Sequence, residues 1–377
     1  MTILYHLISF FLIINIIVFV HEYGHFWAAN QMGIKVSKFS IGIGPEVFGF
    51  DDKRGTRWRF SLFPIGGYVM MLGDGDITSS TEDEESLKDL SEEERKKSFL
   101  AKSNWQKIWV AFGGPLFNYV YAFVVVWGMS FFYGIPTYAP VVGEIISGSP
   151  AEKAGLLAGD KIISVDGRAV EKYRDIALKI MDNESGKVKI LLEREGNKRE
   201  IEIVPLINET KRIVGGVKRT KIIGVKSGSP IFVKKSFYES LESAINECIY
   251  STKEMLGVFS KLFVGKKSID DFGGIVRIAE VAGDLSKSGN FALLIMFTVT
   301  LSLNLGFINL FPLPILDGGR ILILFVEQII GKKLNKTLQE YIMMACAILL
   351  IFLMFIMTVN DVLRIETVSK FISSVMG

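Results

Sequence analysis

Four stretches of the chain are apolar for long enough to cross roughly 30 Å of hydrocarbon at about 1.5 Å per helical residue. They lie near 2–24, 106–133, 291–313 and 341–360, and each predicts a membrane-spanning helix. The first has no Lys or Arg ahead of it and no small-residue cleavage site behind it, so it reads as a retained span.

Between the spans the period changes. Residues 36–73 alternate, as in "VSKFSIGIG" and "RWRFSLFPIGGYVMML", with glycines and a proline as punctuation, and predict a hairpin or small sheet against the membrane surface. The run "SSTEDEESLKDLSEEERKKSF" is charged and poor in bulky apolar residues. It predicts a solvated loop with one short helix, opened by Ser91 and Glu94 at capping-box spacing. The long insert between the second and third spans divides near 226. Its first part, 141–225, predicts a compact β-rich module with a helix over 172–182 and a hairpin turning at Glu195-Gly196-Asn197. In 231–263, Phe237, Leu241, Ile245, Ile249, Leu256 and Phe259 recur at helical spacing and predict an amphipathic helix. No internal repeat is visible.

These patterns divide the chain into a first transmembrane helix at 1–33, a membrane-associated β segment and charged loop at 34–104, and a second transmembrane helix at 105–134. The β-rich module at 141–225 and an amphipathic helical linker at 226–290 follow. A third transmembrane helix at 291–317, a link at 318–340 and a fourth helix with tail at 341–377 complete the chain. The fold class is a polytopic α-helical membrane protein of four transmembrane helices, with a membrane-associated β-hairpin or sheet and an inserted α+β domain.

Composition agrees: 49% of the 377 residues are hydrophobic, yet 22% are charged, as expected of spans joined by solvated segments. A net charge of +3 says little about nucleic acid; its distribution says more. No Lys or Arg precedes the first span, whereas 33–105 is rich in both and the short 318–337 link holds Arg320, Lys332, Lys333 and Lys336. By the positive-inside bias both segments face the cytoplasm, and the amino terminus, the 134–290 insert and the carboxyl tail lie opposite. Cys248 and Cys346 are far apart, Cys346 inside the last span, so both read as packing residues rather than a disulfide framework.

The first span ends in "HEYGH". His21 and His25, four residues apart, share one helix face with Glu22 beside them, the His-Glu-x-x-His arrangement of zinc hydrolases. Two imidazoles can ligate Zn²⁺ at about 2.0–2.1 Å. Zinc brings the pKa of a bound water toward about 7, and Glu22 can take its proton and return it to the leaving amine. The motif also admits a plainer reading as two histidines capping a helix at the interface. Its place in an apolar span argues against that, because ionisable groups at membrane depth are costly unless paired or metal-bound.

A catalytic zinc wants a third protein ligand. His6 stands 15 residues before His21, about 22 Å along a continuous helix and out of reach. Aspartate, glutamate or cysteine must complete the set. In "SLNLGFINLFPLPILDGGR", Pro312 and Pro314 interrupt the helix before Asp317, and irregular backbone at that depth is tolerated only where protein or a cavity receives it. Asp317 leads as third ligand, and Glu327 is the rival. The predicted topology runs the spans bearing His21, His25 and Asp317 to the same cytoplasmic side.

With HEYGH at 21–25, "GGYVMMLGD" at 66–74, "GGPLFN" at 113–118 and the Asn-x-x-Pro-x-Pro-x-Leu-Asp-Gly run at 309–318, the chain resembles the site-2 protease family over nearly its whole length, and most closely the bacterial regulator of sigma-E protease group. The resemblance implies an intramembrane zinc metalloprotease of the bacterial cytoplasmic membrane. Its substrates would be single-span proteins already trimmed by another protease, such as anti-sigma-factor-like proteins, or remnant signal peptides; lipid is implied as a partner and nucleic acid is not. It implies His21, His25 and Asp317 as zinc ligands, Glu22 as general acid and base, and Asn309 and Pro312 as substrate-handling residues. Gly114 and Asn118 match a second-span motif, and Asn118 is carried as a substrate-binding candidate. The segment "AGLLAGDKIISVDG" at 154–167 resembles a bacterial PDZ domain, which the family keeps outside the cytoplasm to exclude substrates with large outer domains. Two departures stand out: there is room for one such domain rather than a tandem pair, and "FGGIVRIAE" at 272–280 lacks a proline common in that stretch.

Cleavage needs an extended peptide. The alternating segment around 60–72 could offer a strand edge for β-augmentation, with Gly67 and Tyr68 as substrate-binding candidates; a plain amphipathic hairpin is the alternative. The histidine count leaves none to assist the oxyanion, which falls to zinc. Two other classes remain open at this point. A metal transporter would spread polar positions along its spans, whereas here they gather at one depth. An inactive adaptor would be expected to lose a ligand or the base, and all are present.

Overall fold

The first apolar stretch forms one unbroken helix, α1 (Thr2–Gln31), which carries His21, Glu22 and His25 in its later turns. A computed structural model of the protein describes residues 2–74, 90–183, 185–211, 217–228, 231–263 and 274–364. The chain forms two compact units, one of residues 1–127 with 241–377, the other of residues 128–240.

In the first unit, α1 is followed by two long strands, β1 (Val36–Asp51) and β2 (Arg57–Met71), where alternation predicted a hairpin. The pairing is more folded than a hairpin. Val36 to Ile41 run beside Met71 to Gly67, while Lys38 to Ile41 also register with Arg57 to Phe60, and Glu46 to Asp51 return along Ser61 to Arg57. The ribbon therefore curls on itself and leaves Gly67–Met71 as an outer edge. Gly42 (φ +86°) makes the bend possible; a Cβ there would lie 2.6 Å from the Phe63 carbonyl oxygen. Phe26 of α1, Val36, Phe39 and Met71 of the strands, Phe99, and Val110 share one core, which seats the ribbon against α1. Asn15, deeper in α1, donates through Nδ2 to the Pro64 carbonyl at 2.7 Å and holds the ribbon alongside the span.

The short helix α2 (Glu92–Lys96) begins where the capping spacing predicted, with Ser91 Oγ accepting from the Glu94 amide. The larger part of the predicted charged loop, 75–89, lies outside the described residues. The second apolar stretch is α3 (Asn104–Gly128), continued by a π-helical turn at Met129–Tyr133. α1 and α3 touch backbone to backbone at Gly24 and Gly113, where a Cβ on Gly24 would collide with the Gly113 carbonyl.

The second unit is β-rich. β3 (Ile135–Thr137), β4 (Val142–Ile145), the short helix α4 (Pro150–Lys153), β5 (Lys161–Val165), β6 (Arg168–Ala169), α5 (Tyr173–Met181), β7 (Val188–Arg194) and β8 (Asn197–Ile203) precede β9 (Leu206–Lys211), β10 (Val217–Ile222), β11 (Val225–Ser227) and β12 (Ile231–Val233). β6, β5, β7 and β8 form a four-stranded sheet in that order, and β3–β12, β4–β11 and β9–β10 pair separately. Alternate residues Val188, Ile190 and Leu192 of β7 meet Ile162, Val165, Ile176, Ile180 and Ile203 in one core. The β7–β8 turn falls at Glu195 (φ 52°) and Gly196 (φ 79°), as predicted.

The amphipathic helix predicted over 231–263 starts later. Ile231 to Val233 instead pair with Ile135 to Thr137, and Ser236 opens α6 (Phe237–Phe263), its amide donating to Glu239 Oε2 at 2.9 Å. α7 (Ile275–Lys287) lies on α1, where His6 meets Asp284 at 3.3 Å. α8 (Phe291–Asn309), α9 (Asp317–Ile330) and α10 (Lys336–Arg364) complete the first unit. Ile13 and Ile17 of α1 pack with Ala282 of α7 and with Leu294, Phe297 and Leu301 of α8. The third span thus ends at Asn309 rather than 317, and the predicted 318–340 link is largely helical. Pro312 and Pro314 cannot continue α8, and the chain restarts as a helix only at Asp317. Among the described residues four helices are long and apolar enough to cross a membrane: Leu4–Gln31, Asn104–Tyr133, Phe291–Asn309 and Lys336–Val359.

In the second unit Asp160 is buried, with Arg194 Nε donating at 2.7 Å to Oδ1 and the Leu157 amide at 2.9 Å to Oδ2. Burial works to raise the carboxyl pKa, but the Arg194 and Leu157 hydrogen bonds outweigh it and hold Asp160 below the usual carboxylate range. A depressed folded-state pKa gives stabilisation that is complete above the unfolded value of about 3.9 and lost as pH falls below it. The melting temperature of the 128–240 unit is expected to drop between pH 5 and pH 2 (about the range set by those values). Arg194→Gln should lower it at pH 7 and flatten that drop, both read by circular dichroism.

Candidate metal centre

Helical spacing puts His21 and His25 on one face of α1, ring centroids 4.8 Å apart. Facing them is the first residue of α9. Asp317 Oδ2 lies 3.2 Å from His21 Nε2, Asp317 Oδ1 lies 3.4 Å from His25 Nε2, and the two Nε2 atoms are 3.2 Å apart. Among the described residues this is the one group of three or more His, Cys, Asp or Glu side chains whose donor atoms converge. Glu327, the rival, is elsewhere, accepting at Oε1 from the Leu334 amide at 2.8 Å. His6 is engaged with Asp284.

Each member is held by its surroundings. His25 Nδ1 faces the Val110 carbonyl at 2.9 Å; a carbonyl can only accept, so Nδ1 carries a proton and the neutral ring has its lone pair on Nε2, the atom that faces Asp317. His21 Nδ1 lies 3.1 Å from the amide of Asn118, a residue with no exposed surface. Gly114 of α3 leaves room for both rings, since a Cβ there would lie 2.7 Å from His21 Cε1 and collide with His25 Nε2. The first turn of α9 lies flush on the 310–314 segment, because Gly318 and Gly319 set their Cα atoms against the Leu310 and Leu313 carbonyls, where a Cβ would clash.

The donor set fits zinc. Ligands at about 2.0–2.1 Å in a tetrahedron stand about 3.3–3.4 Å from one another, close to the 3.2 Å between the imidazole nitrogens and the 3.2 and 3.4 Å from each to its nearer Asp317 oxygen. Apart from its 3.2 Å contact with His21 Nε2, Asp317 Oδ2 is buried and meets no hydrogen-bond donor among the described residues, as suits an oxygen that ligates a cation.

Other candidates occupy the same neighbourhood. Glu22 and His25 line a cavity of about 100 Å³ together with Met71, Asp74, Phe99, Asp317 and Arg320. That volume admits several waters, each needing about 10–15 Å³ by this measure. Asn309, the last residue of α8, has Nδ2 3.1 Å from His21 Nε2. Gly67 brings β2 so close to α1 that a Cβ there would lie 3.4 Å from Glu22 Cγ, and Tyr68 follows it on the same outer edge, paired with Ser40. Pro312 lies in the irregular segment between α8 and α9.

Sequence reasoning missed the Val110 carbonyl, which carries no side-chain signal. It also missed an ion pair between Asp74, just beyond β2, and Arg320, three residues after Asp317. The Arg320 guanidinium lies 4.4 Å over the Phe99 ring, and the Phe99 amide donates to Leu72 at 2.7 Å. The turn bearing Asp317 is thereby tied to the ribbon. The available signal was that these residues close the two quoted motifs, "GGYVMMLGD" and "LDGGR".

Comparison with known proteins gives a consistent result. The description "Peptidase family M50" matches residues 9–353. A protein from Mesorhizobium japonicum is 33% identical over 94% of this chain and 98% of its own length. One from Rickettsia conorii is 33% identical over 94% and 98%, and one from Campylobacter jejuni 32% over 94% and 92%. All three are provisionally named zinc metalloproteases. A solved PDZ domain of an SdrC-like protein from Listeria monocytogenes matches 24% of this chain and 86% of that one at 25% identity, with a TM-score of 0.17.

The tight approach of α3 to both imidazoles has a direct consequence. Gly114→Ala is expected to displace one ring and lower bound zinc about tenfold or more. Elemental analysis of purified protein checks this, and wild-type zinc content in the variant would contradict it.

Proposed function

The chain belongs to peptidase family M50, the site-2 protease family of zinc metalloproteases, and from that premise we propose that it cleaves peptide bonds inside membrane-spanning segments, with His21, His25 and Asp317 holding zinc and Glu22 moving the proton. The observation that carries this reading is the convergence of two imidazoles, their Nε2 atoms 3.2 Å apart, on one carboxylate whose nearer oxygens lie 3.2 and 3.4 Å away, from two helices nearly 300 residues apart in sequence. Four apolar helices support a multi-pass membrane protein.

When bound, zinc supplies a Lewis acid for the scissile carbonyl and acidifies a water. The remaining work falls to the chain. Glu22, lining the water-sized cavity beside His25, takes one proton as the water oxygen bonds to the carbonyl carbon. It then gives that proton to the amide nitrogen as the C–N bond breaks, and the hydroxyl proton left on the new acid passes to the amine, giving a carboxylate and an ammonium group. A helical substrate must first unwind, exposing backbone groups that lipid cannot satisfy. The outer edge at Gly67 and Tyr68 offers strand pairing beside Glu22, which lowers that cost by β-augmentation. Asn309, its amide beside His21, can donate to the substrate backbone, and Pro312 keeps the neighbouring segment irregular and open to it.

In this reading the protein lies in the bacterial cytoplasmic membrane with its centre near the cytoplasmic boundary, where the Lys and Arg bias of 33–105 and 318–337 puts it. The amino terminus and the β-rich unit face outward. That unit, with its four-stranded sheet and the 154–167 motif, acts as a PDZ domain that excludes substrates with large outer domains. The substrates are single-span proteins already trimmed by another protease, or remnant signal peptides.

Glu22→Gln separates the roles. It is expected to keep zinc while cleavage of a tail-trimmed single-span substrate in detergent falls about 10²–10⁴-fold. Full cleavage by that variant would leave Glu22 without its proposed role. Chelation should abolish wild-type cleavage and added zinc restore it, whereas activity that survives complete zinc removal would contradict the metal reading.

A further inference from the structure

Asn118 is wholly buried in the middle of α3, and its place is fixed from two sides: its backbone carbonyl accepts from Ser302 Oγ at 3.1 Å, and its Cβ packs against Gly306. A residue so enclosed has no surface to offer a substrate. Its side-chain amide instead lies 3.1 Å from His21 Nδ1, the ring nitrogen directed away from Asp317, and its Oδ1 is buried with no hydrogen-bond partner among the described residues.

The two orientations of an amide have nearly the same shape but opposite consequences. With Nδ2 toward the ring, the amide donates to Nδ1. The imidazole proton must then sit on Nε2, the atom 3.2 Å from both Asp317 Oδ2 and His25 Nε2, and Oδ1 is left orphaned. With the amide turned, Oδ1 accepts from Nδ1–H, and the Nε2 lone pair faces the other two donors and the Asn309 amide, 3.1 Å away. Only the second arrangement leaves a neutral imidazole able to bind a cation through Nε2. His25 is already held in the equivalent state by the Val110 carbonyl.

We propose that Asn118 is a positioning residue, whose amide oxygen accepts from His21 Nδ1–H and so fixes the tautomer and ring plane that present Nε2 to zinc. This rests on the reading of His21 as a metal ligand. It gives the two histidines parallel supports, a backbone carbonyl for one and a side-chain carbonyl for the other, both contributed by α3. Such outer partners of metal-bound imidazoles raise ligand basicity as well as setting orientation.

The test is zinc affinity of the full chain in detergent, measured by competition with a chromophoric chelator. Asn118→Leu removes the acceptor at similar volume and is expected to weaken zinc binding about 10–100-fold. Asn118→Ala removes it without adding volume and should behave alike, which covers the case in which the leucine variant does not fold. Asn118→Asp keeps an oxygen facing Nδ1 and is expected to bind zinc at least as tightly as the wild type. A residue that served only packing would give the opposite order, since a buried carboxylate would then be the most damaging change. Leucine and alanine variants with wild-type affinity, or an aspartate variant as weak as they are, would overturn the inference alone. A wild type that binds no zinc would overturn the metal reading and this inference with it.

Discussion

A carboxylate at the start of α9 and two imidazoles of the long apolar helix α1 meet within 3.4 Å, and the surrounding fold is arranged to make that meeting possible. Three polar groups at such a depth are costly unless a charge of opposite sign or a proton network satisfies them. Nε2 of the neutral His25 ring carries the lone pair because its other nitrogen faces a carbonyl, and among the described residues Asp317 Oδ2 meets only the imidazole of His21. A cation answers both requirements at once. Zinc is the cation that the imidazole and carboxylate donors and their spacing fit.

Small residues supply the closeness. Gly24 and Gly113 bring the backbones of α1 and α3 into contact, and Gly114, the next residue, clears the space that the rings fill. In lipid, where apolar side chains gain little by leaving the solvent, such close backbone packing is a main source of helix association. Prolines supply the break. Without Pro312 and Pro314, α8 would continue past Asn309 and carry Asp317 along its own axis; with them the chain turns, and Gly318 and Gly319 let α9 start flush against the segment it has just left. The Asp74–Arg320 pair then ties that start to the ribbon whose outer edge runs beside Glu22. Asp317, Glu22 and the strand edge at Gly67–Met71 are in this way parts of one packed assembly.

Much of this was legible in the sequence because its signals are local. The spacing of His21 and His25 fixes their common face on any helix, and the paired prolines before Asp317 announce an irregular segment at a depth where one is seldom tolerated. Apolar length located all four spans, and the Ser91 cap and the Glu195-Gly196 turn followed from side-chain and backbone preferences. What stayed hidden depends on contacts between distant segments. The amphipathic look of the residues around Glu327 suits a helix between the last two spans, but that Asp317 opens it depends on Gly318 and Gly319 packing against the Leu310 and Leu313 carbonyls. The strand at Ile231–Val233 has the composition of a helix face until Ile135–Thr137 is there to pair with it. Alternation identified the ribbon but not its curl, which comes from Lys38 to Ile41 registering with two partners. The Val110 carbonyl and the arginine over Phe99 leave no mark on a residue pattern at all.

X-ray absorption at the zinc edge of the purified full-length protein tests the central claim most directly, because it reports the atoms around the metal independently of activity. The account expects two imidazole shells at about 2.0–2.1 Å with their outer-ring scattering, further light-atom scattering from carboxylate oxygen, and no sulfur. It also expects the ordered metal signal to collapse in Asp317→Ala. A sulfur shell near about 2.3 Å, a single imidazole, or an Asp317→Ala spectrum identical to the wild type would contradict it.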